Sequence, residues 1–260
     1  MPNMWKTRYF LVTLFTTLFC VSYGHAETRA DRVHRLAPGV TASIQLFRGS
    51  ETGLSIPFHV VEIQRNAAKL QILDARRKDR TKASVETLVQ ESGAAAAING
   101  SFFLDDGTPL GLLISEGKQI APVRNVDWGV FHLDGNGHPS LVHARDWKHS
   151  PNVQFALQSG PRLVVEGKAL TFKPNIARRS AICIRQDDTI LLVATARPMT
   201  LLELANLLQR KRSDGGLECH GALNLDGGSS TQLILPGAPQ GFGVRKGDRV
   251  PIAIGVFPKP

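Results

Sequence analysis

The strongest constraint on how this chain folds is the brevity of its apolar runs. From residue 41 to the C-terminus they last only a few residues, are rich in branched and aromatic side chains, and are broken by Gly, Pro, Asp or Asn. Such segments fit strands of a sheet-built core. Thr41 to Phe47, Pro57 to Gln64 and Lys69 to Leu73 read as an antiparallel meander. Leu110 to Ser115, Trp128 to Leu133, Ser140 to His143 and Arg162 to Val165 follow with spacings that suit hairpins, and Ala181 to Arg185 and Thr189 to Thr195 are joined at Asp187-Asp188. Ala94 to Ile98 is a buried strand of small residues, Ala222 to Leu225 a short one, and Val250 to Val256 the last.

Two segments carry helical periodicity instead. The first starts at a capping Ser84, repeats apolar residues at Val85, Leu88 and Val89, and stops at Gly93. The second is predicted from Leu201 to Arg212, with Thr200 and Glu203 as a capping box, Leu201, Leu204, Ala205 and Leu208 as its apolar stripe, and Gly215-Gly216 as its stop. No internal repeat and no linker-like stretch interrupts this order. The expected fold class is α+β: a mixed, mostly antiparallel sheet system with a few packed helices in a single domain.

Met1 to Ala26 reads as a signal peptide. Lys6 and Arg8 precede an apolar stretch from Tyr9 to Val21, and Gly24-His25-Ala26 places small residues for a cut before Glu27. A transmembrane anchor fits less well, because Thr13, Thr16 and Thr17 interrupt a stretch shorter than the ~20 residues of a span. Phe19 before Cys20 argues against a lipoprotein. The expected organisation is therefore a signal over residues 1–26 and a domain over 27–260, periplasmic or secreted, with no integral membrane association after cleavage. The formal net charge is +9, and losing Lys6 and Arg8 with the signal leaves +7, which favours anionic partners such as phosphates or acidic glycans. Nucleic acid is a poor fit: the densest basic run, Asp74 to Arg80, contains acids and no aromatic residue on which a base would stack. Two cysteines then remain, Cys183 and Cys219, in a compartment that allows pairing. Either they form a disulfide, or Cys183 is a buried small hydrophobe in its apolar run.

Two strand ends carry a polar residue followed by glycine where the chain leaves the core. In Asn224-Leu225-Asp226-Gly227-Gly228-Ser229-Ser230, the Asp226 carboxylate projects from the strand end, the glycines let a ligand approach the backbone, and free amides there bind anions. A tight Asp-Gly turn is the plain structural alternative. Asn99-Gly100-Ser101-Phe102-Phe103 is the second such end, and an Asn ordering its own loop would also explain it. Arg178-Arg179-Ser180 sets two guanidinium groups and a hydroxyl at the entrance to a strand, and an arginine fork suits phosphate.

The order of Ala97 to Phe103, Gly107 to Gly111, Ser159-Gly160-Pro161, Arg179-Ser180-Ala181, Thr200 to Ala205 and Ala222 to Ser230 resembles the phosphodiester glycosidase family over about residues 55–257. That resemblance implies hydrolysis of a sugar–phosphate diester at the glycosidic carbon, without cofactor or metal. It implies Asp226 as the catalytic carboxylate, with Asn99 beside it orienting water or sugar hydroxyls, and Arg179 with Ser180 as the phosphate clamp. Asn224 and Ser229 would orient the sugar, and Gly100, Phe102, Gly160, Gly227 and Gly228 would complete the binding surface. The implied partner is a sugar phosphodiester or an anionic glycan. Two positions depart from the family pattern: Ser101 stands where a second glycine is common, and Cys183 where glycine is frequent.

Other chemistries have weaker support. A serine hydrolase would use His220 near Ser229 and Ser230, but the Gly-x-Ser-x-Gly elbow is absent. His132, His138, His143 and His149 lack metal-ligand spacing, and Asp105-Asp106-Gly107 is more simply an exposed turn than a calcium loop. The alternative from another class is a non-catalytic periplasmic binding protein for anionic or phosphorylated glycans, since a fold does not guarantee activity.

Overall fold

In a computed structural model, which describes residues 32–50 and 53–259, the short apolar runs pair into three sheets. Contacts divide the chain into Met1–Ala30 and Asp31–Pro260; the proposed signal, residues 1–26, lies outside the described residues. The largest sheet has eight strands, in the order Arg32–Ala37, Val40–Arg48, Ser55–Ile63, Ile190–Thr195, Ser180–Ile184, Gly221–Asn224, Arg162–Val165 and Lys168–Ala169. A five-stranded sheet follows the order Lys118–Ala121, Leu113–Ser115, Val153–Ser159, Gly129–Asp134 and Pro139–His143. The third sheet has four strands, Leu233–Ile234, Ala96–Asn99, Ile252–Pro258 and Ala68–Asp74.

Every pairing between named strands among the described residues is antiparallel, so the expected mixed system narrows to an antiparallel one. The expected meander also breaks. Val40–Arg48 and Ser55–Ile63 pair as a hairpin, but Ala68–Asp74 leaves for the four-stranded sheet and pairs with Ile252–Pro258. Burial on both faces accounts for this: Leu70 and Ile72 enter the central core, while Leu73 packs with Val85, Leu88 and Val89 of the first helix.

The main core draws on all three sheets, with Val61, Ile98, Phe131, Phe155, Ile182, Leu223 and Ile254 among its members. The opposite face of the large sheet is covered by the helix Leu201–Gln209, through Leu204, Ala205, Leu207 and Leu208. Both expected caps form. Ser84 accepts from the Thr87 N–H at the start of Val85–Ser92, and Thr200 and Glu203 make the reciprocal capping box. The second helix ends before the predicted Arg212, because the returning chain caps it: the N–H groups of Leu217, Cys219 and Glu218 donate to the carbonyls of Leu207, Leu208 and Arg210. Gly216 crosses Arg210 so closely that a Cβ there would lie 2.2 Å from its carbonyl oxygen.

Cys183 and Cys219 form a disulfide with Cα atoms 5.9 Å apart, linking the strand Ser180–Ile184 to the segment that returns from the helix, across 36 residues. Closing a loop of that length in the unfolded chain corresponds to about 4 kcal/mol in the chain-entropy model. Thermal unfolding of Cys183→Ala/Cys219→Ala should therefore occur well below that of the parent, and the parent should converge on the variant when reduced.

His59 gives the fold a pH dependence. Its ring is buried, its Nδ1 accepts the Gly243 N–H at 3.1 Å, and burial lowers its pKa to about 4. Between about 4 and the unfolded value of about 6.5, the unfolded chain binds the extra proton. Stability should thus be greatest above 6.5 and fall by roughly 3 kcal/mol as pH drops toward 4. Urea unfolding of His59→Gln against the parent, at a series of pH values, should remove that slope.

Candidate active site

The ends of the strands Ala96–Asn99, Ser180–Ile184 and Gly221–Asn224 meet at one rim of the large sheet, and the side chain of Asn99 joins them. Its Nδ2 donates to the Asp226 carbonyl at 2.6 Å, and its Oδ1 accepts from the Ser180 hydroxyl at 2.7 Å and the Gln232 N–H at 3.1 Å. Asn99 and Ser180 are both fully buried. In this structure their polar groups bond to each other and to the backbone, so they brace the strand ends on which the expected ligand contacts would be built. Gly100 belongs to the same junction. Its carbonyl accepts the Asp226 N–H at 3.1 Å, and a Cβ would lie 2.7 Å from the Ile252 side chain.

Asp226 follows directly. Its Oδ1 accepts the Gly227 N–H at 2.9 Å, and Ser230 donates a second, side-chain hydrogen bond. Burial pushes the carboxyl above the ordinary aspartate value, against the opposing pull of those bonds. Gly228 has φ +60°, favoured for glycine, and its N–H donates to the Arg178 carbonyl at 2.8 Å. Gly227 passes so near that carbonyl that a Cβ would stand 2.9 Å from it. Ser229 is exposed beside them.

Arg179 stands across from Asp226. Ala181 pairs with Asn224, and the Leu225 N–H donates to the Ser180 carbonyl; continuing that register sets Arg179 opposite Asp226, on the face that Ala181 and Asn224 share. The guanidinium is buried and bonded to neutral partners: Nε to the Met199 carbonyl at 3.1 Å, and Nη2 to the carbonyl and side chain of Asn175. Among the described residues it has no carboxylate partner. Burial lowers its pKa, but a guanidinium stays protonated, so it is a buried cation held by the neutral groups of Met199 and Asn175.

Further polar atoms gather at these strand ends. Asn224 Nδ2 donates to the Gly160 carbonyl at 2.8 Å, while its Oδ1, with Ser101 Oγ, Ser159 Oγ and Thr231 Oγ1, is buried without a partner in the protein. Folded proteins rarely leave such groups unpaired, so water or ligand is the natural complement. Phe102 packs its ring against Trp128 at 5.2 Å between centroids, whereas Phe103 turns to the cluster around the first helix. Gly160 lies under Trp128, 2.4 Å from a ring carbon measured from where a Cβ would be.

Sequence reasoning missed two contributors, Trp128 and Gln232. Trp128 was read only as strand. Gln232 is buried, and its Nε2 holds the Asp248 carbonyl at 2.7 Å. Arg178, more exposed than Arg179, donates from Nη1 to the Lys246 carbonyl at 2.5 Å and forms part of the rim. The adjacent arginines were the available signal, but not which of them is buried. Among the described residues no group of three or more His, Cys, Asp or Glu side chains is placed to hold a metal ion, and no helix is long and apolar enough to cross a membrane.

Asn99→Ala should cost about 2–4 kcal/mol, because it orphans buried partners on two strands. Asp226→Asn should unfold within about 1 kcal/mol of the parent. Denaturant titration of both variants checks the distinction, and equal stability of Asn99→Ala and parent would refute the brace.

A family model described as phosphodiester glycosidase matches residues 92–257. The sequence matches no curated protein. Among solved structures, a hypothetical protein from Synechocystis superposes with a TM-score of 0.64 at 19% identity, covering 90% of this chain; this chain spans 65% of that one. The catalytic domain of zebrafish N-acetylglucosamine-1-phosphodiester alpha-N-acetylglucosaminidase, auto-inhibited by its pro-peptide, gives 0.69 at 17% identity, covering 88% of each chain. At these identities the likeness shows a shared fold.

Proposed function

The chain belongs to the phosphodiester glycosidase family, and on that premise we propose that it is a hydrolase cleaving the glycosidic bond of a sugar-1-phosphodiester, in the periplasm or outside the cell. The observation that supports this reading is that Asp226, a half-buried carboxyl with a raised pKa, lies across the backbone register from Arg179, whose buried guanidinium has no acid partner among the described residues. The name of the zebrafish relative, which specifies a 1-phosphodiester of N-acetylglucosamine, supports the substrate class.

In this reading the sugar lies against Phe102, Trp128 and the unpaired Asn224 Oδ1, with its anomeric carbon toward Asp226. The phosphate lies toward Arg179 and the Gly227-Gly228-Ser229 backbone. As the bond between the anomeric carbon and the phosphate oxygen breaks, its electron pair leaves with the phosphate, and the ring gains positive charge that the Asp226 carboxylate stabilises. Water supplies the hydroxyl of the sugar product and releases one proton. Whether Asp226 attacks carbon or activates that water, it acts as the carboxylate.

The test is release of sugar from UDP-N-acetylglucosamine and a panel of sugar-1-phosphodiesters by the purified protein and by Asp226→Asn. The parent should release sugar, with an acidic limb of kcat/KM above the ordinary aspartate pKa of about 3.9. The variant should lose roughly 100-fold or more and keep its fold. Absence of release from every substrate, with retained binding of anionic glycans, would overturn hydrolysis in favour of a binding protein.

A further inference from the structure

A cavity lies away from Asp226. The strand Pro139–His143 of the five-stranded sheet stands off from the strands Arg162–Val165, Ser180–Ile184 and Gly221–Asn224, leaving a cleft of about 850 Å³. That volume is ample for a ligand site. Its lining reaches Ile184 and Gly221, the opposite ends of the strands that lead to Arg179 and Asp226.

Most of the strong charge along the cleft is already matched. Arg185 Nη1 pairs with Glu62 at 3.0 Å and its Nε donates to the Leu217 carbonyl; Arg65 and His138 share Asp188 at 3.0 and 2.9 Å; His143 Nε2 meets Asp127 at 2.8 Å. Arg162 differs. It is half-buried, its stem crosses Gly129 with Cγ 2.8 Å from where a Cβ would be, and among the described residues its guanidinium has neither an ion pair nor a hydrogen bond; the one carboxylate its charge acts on, Asp127, is exposed and bonded to His143. Two acids line the cleft without a partner, Asp146 and Glu166, but both are exposed, where water and salt screen them. A half-buried guanidinium is screened less, and its planar fork suits a carboxylate or phosphate. The partly exposed Leu141 and Val142, alternating with imidazoles and backbone groups, present a surface of the mixed character that sugar rings offer.

We propose that this cleft is a second binding site, separate from the Asp226 site, for an acidic saccharide chain whose carboxylate or phosphate is held by Arg162. It is independent of hydrolysis, because binding here uses no group of the candidate active site.

Calorimetric titration of the purified protein at low ionic strength tests it, with a galacturonate hexamer, a glycerol-phosphate oligomer, and maltohexaose as the neutral control. At least one acidic oligomer should bind, and which one does so identifies the anion; maltohexaose should not match it. Arg162→Gln should weaken that binding roughly tenfold or more, and Arg162→Lys, which keeps the charge without the fork, should fall between. Asp226→Asn should bind like the parent, so a failed hydrolysis assay leaves this result untouched. Unfolding midpoints establish that each variant is folded. Absence of binding by both acidic oligomers, parental affinity in Arg162→Gln, or equal binding of maltohexaose would overturn the proposal.

Discussion

The carboxamide of Asn99 fixes the distance between two sheets at the point where the candidate chemistry sits. Its three hydrogen bonds reach the Asp226 carbonyl, the Ser180 hydroxyl and the Gln232 N–H, groups on separate chain segments, and all lie where little water competes. Behind it, Gln232 accepts the Val85 N–H and holds the Asp248 carbonyl, while the Asp248 N–H donates to the Ser229 carbonyl. The Asp226 loop is thereby tied on both sides to rigid elements. A reacting group must be held within a fraction of an ångström to be effective, and a buried amide hydrogen-bonded to several chain segments holds geometry in this way.

That rigidity gives meaning to the electrostatics of Arg179. A buried guanidinium costs several kcal/mol of desolvation, and here the offset comes only from the dipoles of Met199 and Asn175. Under the proposed function, the charge of Arg179 is in place before an anion arrives, so little reorganisation would accompany binding.

The legible parts of the sequence were those governed by local rules. The caps at Ser84 and Thr200, the hairpin through Asp187-Asp188 and the strand leading to Asp226 follow from propensity and turn chemistry. Val153–Ser159 was missed because Gln154 and Gln158 interrupt its apolar pattern; Gln158 is fully buried, with its side chain satisfied by the backbone of Leu112 and Arg124. The same blindness affected the site. Asn99 and Ser180 look like ligand contacts until tertiary structure shows their groups facing one another, and nothing local distinguishes the buried Arg179 from its neighbour Arg178. Partner choice over long sequence separations decides these roles, and a single sequence does not record it.

The composition of the site also fits the energetics of the proposed leaving group. Cleavage of an ordinary glycoside expels an alkoxide, which is why such enzymes place a protonated acid opposite the catalytic carboxylate. A phosphate monoester, with a second pKa near 6, departs as a stable anion and needs little protonation. What it needs is a cation to receive the departing charge. In the proposed reaction that cation is Arg179, which lies across the backbone register from Asp226 and is buried, where its field is least screened. Under that proposal, one carboxylate and one arginine without an acid partner match the charge separation of a glycosyl phosphate: positive on the ring, negative on the phosphate.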